Sequence, residues 1–128
     1  MRTKSGKLSL LVAGLLATAS PLLAHHGNTS YDVGKTVTVK GTVTQYVWAN
    51  PHVLLKVDAK DEGGATQHWV IEAQSVTVQA GKGWSYTMFK PGDEVVIDVM
   101  PAKSGQPIGE FRNRIVINGQ EFKPQVAE

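Results

Sequence analysis

Lys35-Thr36-Val37-Thr38-Val39-Lys40-Gly41-Thr42-Val43-Thr44-Gln45-Tyr46-Val47-Trp48 alternates without a break. Val37, Val39, Gly41, Val43, Gln45 and Val47 fall on one face and the threonines, Lys40, Tyr46 and Trp48 on the other. A period of two, rich in β-branched residues, is the pattern of a half-buried strand, and Gly41 in its middle marks a bend or bulge. Fourteen residues are long for a strand.

Working outward, Ala49-Asn50-Pro51 ends this strand, and His52 to Lys60 forms a second with Val53, Leu55 and Val57 inward. Asp61-Glu62-Gly63-Gly64 is a hairpin connection. Thr66 to Glu72 is a third strand. Residues 73–83 are ambiguous between a strand extension and one or two helical turns. Lys90-Pro91-Gly92-Asp93 is a strong turn, Glu94 to Met100 a fourth strand, and Glu110 to Asn118 a fifth, across a Gly/Pro-rich loop. Asn118-Gly119 is a tight turn, and the tail from Lys123 is loose. This order predicts an all-β chain: a small five-stranded OB-like barrel with a short helical or irregular insert between strands 3 and 4. A five- to seven-stranded sandwich gives a similar pattern.

The N-terminus has a different character. Arg2, Lys4 and Lys7 precede an apolar run from Leu8 to Ala19, and Pro21-Leu22-Leu23-Ala24 follows, the layout of a secretory signal peptide. The run is shorter than the roughly 20 residues of a spanning helix, and no second run follows, so the mature chain is expected to have no transmembrane segment. The expected organisation is a signal peptide at 1–24, an N-terminal arm at 25–34, a barrel domain at 35–122 and a flexible tail at 123–128. Cleavage after Ala24 leaves 104 residues with 10 Lys+Arg against 11 Asp+Glu, so the basic balance belongs to the leader. The composition argument for nucleic acid disappears with it. With no cysteine there is neither a disulfide nor a thiolate metal site.

Export also changes the chemistry of the next residues, His25-His26-Gly27. His25 would become residue one, with a free amine of pKa near 8 beside an imidazole of pKa about 6.5. Amine plus imidazole on one residue is a bidentate nitrogen donor suited to copper, nickel or zinc, with divalent copper bound most tightly. A second imidazole would complete a histidine brace. His52 is the candidate, presented by Trp48-Ala49-Asn50-Pro51-His52, where Pro51 fixes the chain and biases Asn50 toward an extended conformation. The plain alternative is a corner in which Trp48 packs on the barrel, Asn50 bonds local backbone and His52 is solvated. His26 shares an ion with His25 only if the arm kinks; otherwise it makes a looser copper site with the amine and intervening amide, and a frayed terminus is the bland outcome. Glu72 and Asp32 are candidate carboxylates for holding a ligand histidine in one tautomer. For His68, a four-residue loop at 61–64 sets it opposite Val57 on the core side, facing away from His52, and a shift by one residue reverses that.

The mature chain resembles a group of small exported bacterial proteins of uncharacterised function. Its members begin His-His-Ser and carry Gly-Thr-Val, Trp-x-Asn-Pro-His, Trp-x-x-Glu, Gly-Trp and Lys-Pro-Gly-Asp. The matching stretches are His25-His26-Gly27, Gly41-Thr42-Val43, Trp48-Ala49-Asn50-Pro51-His52, Trp69-Val70-Ile71-Glu72, Gly83-Trp84 and Lys90-Pro91-Gly92-Asp93. The resemblance implies an exported OB-like domain and supplies no activity. Two departures are Gly27 in place of serine and a 74–82 segment without the group's leucine- and arginine-rich sequence, which argues against a helix there. His68 has no counterpart in the pattern.

These residues lead to an exported periplasmic metal-binding protein, with copper as the expected ion, held by His25, His26 and His52 and acting as carrier or chaperone. The competing class is a non-metal binding module, using the face around Trp48 and Tyr46 for an envelope protein, peptide or glycan. No nucleic-acid partner is expected. An oxygen-activating copper enzyme is the weaker reading, because so short a chain offers little substrate platform and no nucleophile–base motif.

Overall fold

A computed structural model describes residues 30–124. The expected signal peptide and residues 25–29 lie outside them, as do residues 125–128. Six strands and one helix follow in chain order: β1 Val37–Val47, β2 Leu54–Lys60, β3 Thr66–Glu72, α1 Val76–Gly81, β4 Glu94–Pro101, β5 Ile108–Ile117 and β6 Gln120–Phe122. β1 pairs antiparallel with β2 and β4, β2 with β3, and β4 with β5, while β3 and β5 pair in parallel and close a five-stranded mixed barrel. The insert between strands 3 and 4 is the short helix α1. No helix among the described residues is long and apolar enough to cross a membrane.

β1 serves both sides of the barrel, and Gly41 is where it changes partner. Residues 37–42 pair with β4 and residues 41–47 with β2. A Cβ on Gly41 would run into the carbonyl oxygen of Asp58, so the strands approach there as only glycine permits. The bulge expected at Gly41 lies further on, between Val43 and Gln45. The extra residue reverses the alternation. Val39 and Val43 point into the core before it, and Tyr46 and Trp48 pack against the core after it, whereas Gln45 is exposed.

The core is aliphatic in the barrel, with Leu55, Val57, Ile71, Ile97, Val99 and Ile115 each at most 3 % exposed, and aromatic at the helix end, where Trp84 packs edge-on to Phe89 and Phe111. Burying a Val, Leu or Ile side chain stabilises by about 1.5–3 kcal/mol, so these side chains replace the absent disulfides. Two local features differ from expectation, the β2–β3 loop and a sixth strand, and the insert resolves as a helix. The β2–β3 loop is five residues, because Lys60 pairs with Thr66 while Asp61 takes in the Ala65 N–H through its side chain. The helix forms despite a weak pattern, with Ser75 as its N-cap and Asn50 Oδ1 accepting from the Val76 N–H at 3.0 Å. A sixth strand follows Asn118-Gly119, both at positive φ (49° and 81°), as a two-residue primed hairpin turn requires.

The arm joins the barrel by Ser30 at the latest. Tyr31 is buried and bridges to Ala102, the Asp32 N–H donates to the Pro101 carbonyl at 2.9 Å, and the Lys103 N–H donates to the Ser30 carbonyl at 3.0 Å.

Candidate functional site

The turn from Ala49 to Val53 is fastened to the chain just past β3. The Val53 N–H donates to the Gln74 carbonyl and the Ala73 N–H to the Val53 carbonyl, which continues the β2–β3 pairing beyond the strand ends. The Asn50–Pro51 peptide is cis. This arrangement sets His52 beside Glu72 and Ala73, twenty residues away in sequence.

His52 Nδ1 lies 3.1 Å from Glu72 Oε1 and 3.2 Å from the Ala73 carbonyl oxygen. Both neighbours are acceptors, so Nδ1 carries the proton and donates, and in the neutral ring Nε2 holds the lone pair. The imidazole is partly open to solvent (side chain 44 % exposed) while Glu72 is mostly enclosed (16 %). The other oxygen of Glu72, Oε2, accepts from the Tyr31 hydroxyl at 2.7 Å. A hydrogen-bonded chain Tyr31–Glu72–His52 thus links the arm, the end of β3 and the turn. Burial, then the hydrogen bond to Glu72, pushes the Tyr31 phenol above its ordinary range, so it stays a neutral donor.

Glu110 stands next to this chain. It is the register partner of Glu72 across the parallel β3–β5 pairing. Burial and the neighbouring charge of Glu72 raise its pKa, and His52 and Lys82 pull it partly back. The sequence singles out neither Tyr31 nor Glu110, since neither stands at a recognisable spacing from His52; only the strand pairing brings them in.

The other sequence candidates separate. Glu72 is the carboxylate that holds a histidine, and Asp32 is not: its Oδ1 accepts from the Gly34 N–H in an exposed local turn. Asn50 caps α1. Trp48 is partly buried on the core, its ring 6.0 Å from that of Tyr46. His68 pairs with Asp58, one residue off the four-residue-loop register, and Nδ1 lies 2.6 Å from Asp58 Oδ1 on an exposed face. It therefore faces outward rather than into the core. It stands four residues along β3 from Glu72, about 13 Å by strand rise, too far to join His52. His25 and His26 lie outside the described residues. Among the described residues, no three His, Asp or Glu side chains are grouped so as to hold a metal ion.

The chain belongs to a family of unknown function, DUF6152, which it matches over residues 12–111. No curated protein and no solved structure matches it.

Proposed function

We propose that this chain is an exported, periplasmic copper-binding protein that acts as a carrier or chaperone. Cleavage after Ala24 frees the amine of His25, which with its own imidazole and that of His52 holds the ion, His26 supplying a third imidazole or an outer contact. The observation that supports this reading is the orientation of His52. A carboxylate and a carbonyl hold Nδ1–H, fixing the ring's orientation and the tautomer that offers Nε2 as a metal donor. The arm arrives at the same place, because Tyr31, six residues after His25, donates to the same Glu72 carboxylate. Six extended residues reach about 20 Å, so a terminal histidine has the length to meet His52. The His–Glu–Tyr chain is then an outer support and His52 the one imidazole the barrel contributes.

The test is a copper(II) titration of protein purified from periplasm, with its first residue confirmed by mass spectrometry, beside His52→Ala and a form with one alanine placed before His25. Tight one-to-one binding that fails in both altered forms supports the proposal. Binding that survives His52→Ala confines copper to the terminus, and absence of tight binding ends the metal reading.

A further inference from the structure

Two of the three tryptophans are taken up by aromatic packing: Trp48 lies against Tyr46, and Trp84 against Phe89 and Phe111. Trp69 has no ring partner among the described residues. It is partly buried against the core and lines two adjoining grooves of about 380 and 370 Å3, which share Val37, Gln67 and Trp69. These volumes fall at the small end of the roughly 300–1,000 Å3 of small-ligand sites. The grooves exist because β1 leaves β2 at Gly41. Residues 37–40 pair with β4 alone, and a gap opens between them and the β2–β3 hairpin.

The lining has a definite chemistry. Lys35 and Lys103 line the first groove and Lys40 and Lys60 the second. Both ion pairs among the described residues involve histidines, so Lys35, Lys40 and Lys103 have no carboxylate partner there. Three acids share the lining, Asp32 in the first groove and Asp61 and Glu62 in the second, so four lysines leave one net positive charge; Asp32 is turned to the Gly34 N–H, and Asp61 to the Ala65 N–H and the Gln67 side chain. The bond to Asp61 uses Gln67 Nε2 and leaves its Oε1 as an acceptor in the groove, and Gln106 adds a second amide to the first groove.

We infer that the Trp69 groove binds an acidic oligosaccharide. The indole offers a flat apolar plate for the C–H face of a sugar ring, the two amides both donate and accept as hydroxyls do, and ammonium groups in both grooves fit carboxylates or sulfates. A single-stranded nucleic acid would need successive aromatic plates, and Trp69 is one. The site is separate from His52 and would hold an exported protein on anionic glycan while its metal chemistry proceeds elsewhere.

The test titrates the full chain with tetragalacturonate, its methyl ester and tetraglutamate, following the Trp69 indole N–H by NMR. The acidic sugar is expected to shift that resonance and bind more tightly than either control. Lys35→Ala/Lys103→Ala should weaken it about tenfold, the sum of two exposed charge contacts, with the fold intact. Trp69→Phe, verified as folded, should also weaken it, and His52→Ala should leave it unchanged. Equal affinity for the neutral ester overturns the electrostatic part. Tighter binding of the peptide overturns the sugar assignment, and no shift with any probe overturns the site.

Discussion

Glu72 and Glu110 stand side by side in the parallel seam that closes the barrel, two carboxylates in register with one histidine and one lysine near them. Glu72 is satisfied by Tyr31 and His52, so Glu110 is the member that carries the strain of like charge.

Glu110→Gln is therefore expected to stabilise the fold at neutral pH. The folded-state pKa of Glu110 is raised, chiefly by burial and then by Glu72. Its contribution is thus fully favourable below the unfolded pKa of about 4.3 and is lost as pH rises through the folded value. Thermal melts of the two forms should coincide near pH 4 and separate above it, with the glutamine form higher by about 0.5 kcal/mol, the scale of a cross-strand like-charge pair. A glutamine form that is less stable at pH 7 would show that Glu110 makes a favourable contact as an anion.

Asp93 behaves with the opposite sign. The Asn118 side chain and then the Lys90 N–H donate to its carboxylate and hold its pKa below the usual range against the opposing effect of burial. A depressed folded pKa gives stability that is present above the unfolded value of about 3.9 and is lost as pH falls through the folded one. Asp93→Asn should melt lower than the parent at pH 7 and converge with it in acid. It lies in the turn that joins Lys90 to β4 and β5, so amide exchange at Glu94 and Asn118 should rise with the same pH dependence.

Two glycines separate close approach from mere flexibility. Gly41→Ala places a Cβ against the Asp58 carbonyl, backbone that cannot swing aside, and should cost about 1–3 kcal/mol in urea denaturation as an overpacked site does. Gly81→Ala, at the end of α1 with nothing within 4 Å of the new Cβ, should be neutral or gain up to about 1 kcal/mol of helix propensity. Equal effects at the two sites would contradict the strand crossing at Gly41.

These contrasts also explain what the chain discloses before it folds. The bounds of β3 and the inward set Val53, Leu55 and Val57 follow from alternation, because burial of one face imposes it. The bulge past Val43 leaves no mark, since Thr44 continues the pattern that it interrupts. Ala65 joins the β2–β3 loop through Asp61, whose N–H donates to the Ala65 carbonyl and whose side chain accepts the Ala65 N–H, a closure that a composition signal does not contain. β6 is three residues, two of them polar, and owes its existence to the Asn118-Gly119 turn. At the site, His52 and Asn50 are legible from Pro51. The Glu72 contact comes from the β2–β3 pairing continued past the strand ends, Glu110 from the β3–β5 seam and Tyr31 from its bridge to Ala102, and no local spacing encodes them.

The sharpest consequence of the extended β2–β3 pairing is the tautomer of His52. With a carboxylate at 3.1 Å and a carbonyl at 3.2 Å, Nδ1 is the protonated nitrogen, and 15N shifts of the neutral ring should show Nε2 unprotonated. Glu72→Gln replaces the carboxylate with an amide that can present its N–H as well as its oxygen, and should mix the two tautomers. If His52 holds copper, the same change should weaken copper(II) binding by about 10- to 100-fold, as loss of a supporting carboxylate does. His68→Ala should leave it untouched, because His68 is paired outward with Asp58. A mixed tautomer with unchanged copper affinity would detach the Glu72 contact from metal binding and leave it as a fastening between the turn and β3.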